Sequence, residues 1–198
     1  MSHQQTRLLS GLSIAIVLAV AITAVGVSSA HAGLINLNPC NSAPVSQPFA
    51  RWVDPAWYEL APGGGFESSS WSLSGGAHRV AGSEPYEVTG SRGSWSLELP
   101  AGSSAQSPQT CVDGAYPSAR FFIAGTGSVA VSIVAGNTVI PAGVAVAGSR
   151  WMPSPVMLTS AAVVAAVSDG VAQVSLRVRA LSGDPRIDDV YIDPWCRG

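Results

Sequence analysis

Hydrolysis of a glycosidic bond needs only two carboxyl groups held a few ångströms apart, and this chain carries twelve acidic residues. Their scatter singles out no pair, so a glycoside hydrolase is the weakest of three functional readings. Other catalytic arrangements lack parts. A Ser-His-Asp relay would have to use His78, since His3 and His31 fall in a leader segment described below, and no Gly-x-Ser-x-Gly turn presents a nucleophile. His78 reads instead as a strand residue following Gly75-Gly76. Zinc catalysis needs several His or Cys ligands at short spacing, which cysteines at 40, 111 and 196 do not supply. Gly125-Thr126-Gly127-Ser128-Val129-Ala130 matches a dinucleotide-binding pattern, but that pattern must open a helix, and the residues after it alternate as in a strand. The expectation is a protein without catalytic machinery.

Acidic residues at two places invite a different chemistry. Glu67 follows Gly64-Gly65-Phe66 where the strand-forming region begins, and Asp188 and Asp189 lie in Arg186-Ile187-Asp188-Asp189-Val190-Tyr191-Ile192-Asp193 where it ends. On a regular strand from Ile187, Asp188 shares a face with Val190 and Ile192, so a carboxylate points where apolar side chains point. A carboxylate buried that way requires a partner or a cation. Arg177, Arg179 and Arg186 are the candidate partners.

The elements that must position these groups are short apolar runs separated by Gly, Ser and Pro. Strands are expected over 71–73, 78–81, 86–88, 94–99, 120–124, 129–135, 162–167, 171–180 and 187–192. Val174, Leu176 and Val178 alternate with Ser175, Arg177 and Arg179, and Val129, Val131 and Ile133 are spaced by Ala130 and Ser132. Period two marks strands with one dry and one wet face. Helical spacing with caps is absent. Short strands about every ten residues, with turn signals between them, imply an all-β chain folded as an antiparallel β-sandwich or jelly roll.

Composition bounds the remaining choices. Of 198 residues, 47% are apolar and 11% charged, which excludes a disordered chain. All ten basic residues are arginine against twelve acids, so nothing in the charge balance favours nucleic acid or an anionic membrane. Residues 1–32 read as a secretory signal peptide: Arg7 is basic, 15 of the 20 residues from Leu8 to Val27 are Ala, Val, Ile or Leu, and Ala30-His31-Ala32 suits cleavage after Ala32. An uncleaved anchor is the alternative. Cleavage would leave a secreted chain with no membrane segment, an N-terminal extension over 33–56 and a sandwich domain over 57–195. Three cysteines in an exported chain imply one disulfide and one leftover thiol. Cys40–Cys111 is the favoured pair because Cys196 stands two residues from the end; pairs with Cys196, or a dimer through it, stay open. Closing a loop of that length contributes on the order of 4 kcal/mol.

Phe66-Glu67 shortly before Trp71, with Ile187-Asp188-Asp189-Val190 in the last strand, resembles the opening and closing strands of galactose-binding-like jelly rolls, a superfamily that includes many carbohydrate-binding modules. The resemblance spans residues 60–194, and the string from Trp71 to Tyr86 is similar to that of secreted bacterial proteins. It implies a structural Ca²⁺ tying the first and last strands together, held by Glu67 and Asp188 with Asp189 as the substitute. Hard oxygen ligands suit that ion, and exported proteins meet it at high concentration. It also implies a polysaccharide or glycoconjugate as partner, without naming the ligand residues. Sugar sites use flat aromatic faces, and the chain has six tryptophans. Trp71 and Trp95 lie in strand runs and are expected in the core; Trp52, Trp57 and Trp151 lie in loop context and are the surface candidates. The resulting expectation is a secreted, non-catalytic glycan-binding sandwich. The alternative is a self-associating envelope or matrix protein, and the oligomeric state is left open.

Overall fold

The computed structural model describes residues 43–113, 116, 118–159 and 171–194. The expected signal peptide, Cys40, the strand expected over 162–167, Trp195 and Cys196 lie outside the described residues.

The runs that alternate in the sequence build one sheet. It contains β3 (Ser72–Ser74), β6 (Ser104–Gln106), β7 (Thr110–Asp113), β9 (Ser128–Ala135), β10 (Thr138–Val146) and β13 (Val171–Ser182). The long β13 is its centre: β9 pairs along one side, while β7 and then β6 pair along the other. Val129, Val131, Ile133, Val174, Leu176 and Val178 all point inward and are buried. Each apolar side chain so buried contributes about 1.5–3 kcal/mol relative to exposure.

The facing sheet contains β1 (Val45–Ser46), β2 (Tyr58–Leu60), β4 (His78–Ala81), β5 (Trp95–Glu98), β8 (Ser118–Gly125), β11 (Met152–Pro153), β12 (Met157–Leu158) and β14 (Pro185–Asp193). Here β14 is central, with β8 along one side and β5 then β2 along the other. Every pairing in both sheets is antiparallel. The two central strands are consecutive, and the chain crosses between sheets at Gly183, whose φ of +63° suits glycine. Gly125-Thr126-Gly127 makes another crossing, from β8 to β9. The dinucleotide-like string is therefore a corner between sheets. The fold is the expected antiparallel β-sandwich of jelly-roll type.

This sheet is buried on both faces. Leu97, Phe121, Ile123, Ile187, Val190 and Ile192 face the core, while Phe122 and Tyr191 face outward into a second cluster with Phe49 and Tyr58. Phe49 sits 5.1 Å from the Tyr58 ring and 5.3 Å from Phe122. It comes from the segment read as an extension, which instead contributes β1 and the one-turn 3₁₀ helix Ala50–Trp52. That segment is pinned by Asp54, which pairs with the buried Arg120 and accepts the Tyr58 hydroxyl at 2.8 Å. Arg120 also donates to the Ser154 carbonyl at 3.0 and 2.8 Å.

Three local expectations are corrected. Residues 86–88 form turns rather than a strand, because the Glu84 carboxylate takes the N–H groups of Tyr86 and Val88 and curls the chain back. Glu67 lies in a loop before β3, not in an opening strand. Trp95 is 38% exposed at the start of β5, while Trp71 is buried and donates Nε1–H to the Pro62 carbonyl at 3.0 Å. Cys111 on β7 is disulfide-bonded, and both candidate partners lie outside the described residues.

Candidate functional site: a buried carboxylate cluster beside an exposed tryptophan

A bulge in β14 decides where the two aspartates go. Asp188 pairs with Phe122 and Tyr191 with Arg120, so β14 spends three steps where β8 spends two. The surplus residue is Asp189, held at φ +45°. Ile187 faces the core, Asp188 faces outward, and Val190 faces inward again. Asp188 thus does not share the face of Val190 and Ile192. It is nevertheless fully buried, because the loop from Gly82 to Gly93 folds over it.

The aspartate organises that loop. Its Oδ2 accepts the Ser83 hydroxyl at 2.7 Å and the Glu84 N–H at 2.9 Å, and its Oδ1 accepts the Asp189 N–H at 2.9 Å. Glu84, 2% exposed, was not singled out from the sequence. The Ser-Glu-Pro string after a glycine, with its side chain free to cap the N–H groups that follow, was the available signal. Glu67 joins the group from the far side. Its Oε1 accepts from the N–H groups of Ser94 at 2.7 Å and Trp95 at 3.1 Å. A methyl group at Gly93 would stand 2.8 Å from Glu67 Oε1 and 2.7 Å from Ser83 Oγ, so glycine is what lets the two strands of this loop approach. The charges of Asp188, Glu84 and Glu67 all act on Asp189, so these acids are neighbours, with Glu67 at the exposed edge of the group.

The cluster carries more negative charge than burial favours. Burial foremost, then the Asp188 and Glu84 charges, raises Asp189 to about 8; burial raises Asp188 to about 6 against the lowering pull of its hydrogen bonds. None of the arginines considered as partners relieves this. Arg186 donates to the carbonyls of Ala81 and Gly82 and to Ser96 Oγ, and Arg177 forks onto Gln106 Oε1. The ion pairs among the described residues are Arg120–Asp54 and the surface pair His78–Glu98. In chemistry the set suits a hard cation. As placed, however, no three His, Cys, Asp or Glu side chains among the described residues stand where they could hold one, since much of the oxygen is spent on N–H and O–H donors.

Beside the cluster, Glu67 ties the start of β5 and so sets Trp95. The inward face of β5 carries Leu97 and Trp95; Leu97 is buried, but Trp95 stands at the rim of the sandwich. Arg79, opposite Leu97 on the edge strand β4, places its guanidinium carbon 4.7 Å from the centre of the Trp95 ring. The expected surface tryptophans differ. Trp52 is edge-on to Tyr86 at 4.7 Å and to Phe122 at 5.2 Å, and Trp151 lies under Arg186 at 5.9 Å, so both are half-buried against the outer aromatic cluster. Trp57 is half-buried too.

No protein-family model matches the chain, and no curated protein does. Solved structures similar to it include a family 61 carbohydrate-binding module in complex with β-1,4-galactotriose, at 19% identity over 66% of this chain and 94% of that one, with a TM-score of 0.39. Another is the C-terminal family 6 module of a marine laminarinase from Zobellia galactanivorans, at 18% identity over 60% and 89%, with a TM-score of 0.40. A third is a family 6 module from Clostridium stercorarium in complex with cellobiose, at 13% over 61% and 83%, also with a TM-score of 0.40. At these values the likeness says nothing about a ligand of this chain.

Proposed function

We propose that this protein is a secreted, non-catalytic glycan-binding sandwich whose contact surface is the rim around Trp95. The observation that carries the reading is the exposure of this one large ring from a strand face that is otherwise core. A sugar ring presents an apolar C–H face and a rim of hydroxyls. A flat indole flanked by charged donors and acceptors meets both. Arg79 supplies donors at the rim, and Glu67, bound through Oε1 to the N–H groups of Ser94 and Trp95, fixes the ring's position. The non-catalytic part of the reading is supported by the use made of the carboxylates: Glu84 and Asp188 are buried and occupied with backbone N–H groups. Affinity electrophoresis against a panel of soluble polysaccharides tests the proposal. At least one polymer should retard the wild type and fail to retard Trp95→Ala; no retardation by any polymer refutes it.

We also propose a structural Ca²⁺ at Glu67, Asp188 and Asp189, which would have to turn toward the ion from the positions they hold here. It is supported by the raised Asp188 and Asp189 and by the lack, among the described residues, of a cationic partner for them. The ion would neutralise the cluster and bind the Glu67 loop to β14. A melting temperature that ignores both EDTA and added Ca²⁺ refutes it.

Self-association is the second functional reading. Val139, Val144 and Val146 are 46–74% exposed on β10, the end strand of its sheet. Light scattering that reports a monomer at every concentration removes this reading.

A further inference from the structure

Four arginines among the described residues are buried or partly buried: Arg79, Arg120, Arg177 and Arg186. Three have acceptors. Arg120 holds Asp54 and the Ser154 carbonyl, Arg177 holds Gln106, and Arg186 holds two carbonyls and Ser96. Arg79 alone has none. Its Nε is buried with no hydrogen-bond partner, and no carboxylate among the described residues pairs with it. A guanidinium stays ionised at any physiological pH and offers five donors in a planar fork. The Nε of Arg79 is buried without an acceptor and its charge rests over the Trp95 ring, while its terminal nitrogens bond no described residue, so the fork is open to oxygen anions of a ligand.

The open fork is local to one surface. The guanidinium lies 4.7 Å from the centre of the exposed Trp95 ring, so an anionic group reaching Arg79 would belong to a molecule already resting on or beside the indole. The nearby Glu67 does not fill the fork, because that carboxylate is directed at the N–H groups of Ser94 and Trp95. His78, the residue before Arg79, alternates to the other face of β4 and pairs with Glu98 at 3.8 Å.

Resting on the glycan reading of the same rim, we infer that the Trp95 surface selects acidic sugars, with Arg79 taking the carboxylate or sulfate group while the ring takes the apolar face. Arg79 is thus a specificity residue, and Trp95 is the platform any ligand uses.

Titration calorimetry at low and moderate salt tests this with polygalacturonate as the carboxylate polymer, a sulfated galactan as the sulfate polymer, and neutral galactan and xylan as controls. The wild type should bind one or both acidic polymers more tightly than the neutral ones, and the acidic polymer bound best identifies the group. Arg79→Gln should weaken acidic binding about ten- to hundredfold, the loss of a charge-assisted hydrogen-bonded pair, while leaving neutral binding in place. Arg79→Lys keeps the charge and most of the packing but not the fork, and should retain part of the preference at low salt. Melting curves of both variants separate a specificity effect from unfolding. Neutral polymers bound as tightly as acidic ones through Trp95, or an acidic preference that survives Arg79→Gln, overturns the inference and leaves the glycan reading standing. Binding of no polymer at all overturns both.

Discussion

Asp188 accepts the hydroxyl of Ser83 at 2.7 Å across 105 residues of sequence, and with it the N–H of Glu84. One carboxylate on the last strand therefore holds down the loop that carries Tyr86 to the outer aromatic cluster. Tyr86 in turn donates its hydroxyl to the Trp151 carbonyl at 2.6 Å, so the loop is stitched to a third segment. Beyond the clamp, the same loop continues to Gly93, Ser94 and Trp95. The order of the Trp95 rim thus depends on a buried acid.

Asp188→Ala should destabilise the protein by about 1–3 kcal/mol, because it leaves the Ser83 hydroxyl and two buried N–H groups without an acceptor. Asp188→Asn keeps one acceptor oxygen and discards a charge that burial disfavours, so it should cost less. Chemical denaturation of the two variants at pH 7 checks the order; an Asn variant as unstable as the Ala variant would show that the charge itself is required.

The raised carboxyls set a direction for pH dependence. Asp189 at about 8 and Asp188 at about 6 both bind protons more tightly in the fold than in the unfolded chain, where an aspartate titrates near ~3.9. Their contribution is then fully present below about pH 4 and is lost as pH rises through 6 and 8. In calcium-free buffer the melting temperature should therefore fall between pH 5 and pH 8.5, more steeply in the wild type than in Asp189→Asn. Added Ca²⁺ should flatten the curve if the ion replaces those protons. A melting temperature that rises over this interval would contradict the burial of the pair.

Asp54→Ala strands the Arg120 guanidinium in a buried site, with a side-chain exposure of only 10%. Removing one partner of such a pair costs about 3–5 kcal/mol. Part of that loss should appear as release of the segment from Val45 to Trp52, detectable as faster hydrogen exchange at Phe49 and Trp52 while the core strands β9 and β13 keep their protection.

Peptide mapping without reduction should recover Cys111 linked to Cys40, with Cys196 open to alkylation. A Cys111–Cys196 peptide would instead bind the chain's end to β7. In either case reduction should lower the melting temperature, since the crosslink restricts the unfolded chain.

What the residues determined by themselves was the class of fold and the sheet with one dry and one wet face. The alternation in β9 and β13 follows from local pattern alone: one sheet face meets the core and the other meets water, so side-chain type tracks a period of two. Serine-arginine outward and valine-leucine inward could be read without knowing any partner. Asp188 and Asp189 could be picked out as polar groups in an apolar run, and Glu67 by its place after Gly64-Gly65-Phe66 where the strand region begins.

Tertiary structure decided everything that depended on a second covering layer or on register. In β8, Ser118 to Ala124 is buried throughout because the N-terminal segment and two loops cover the sheet's outer face, which cancels the wet side that alternation relies on. One extra residue at Asp189 turned Asp188 to the opposite face, since a single-residue slip reverses every side chain beyond it. Residues 86–88 have strand-like composition, yet Glu84 draws their N–H groups into a turn. Trp95 has the pattern of a core residue, yet as the first residue of β5 it stands 38% exposed. Nothing in the sequence around its partner Arg79 sets that arginine apart from the other nine. Its lack of an acceptor is a property of three-dimensional neighbours, and no spacing along the chain records it.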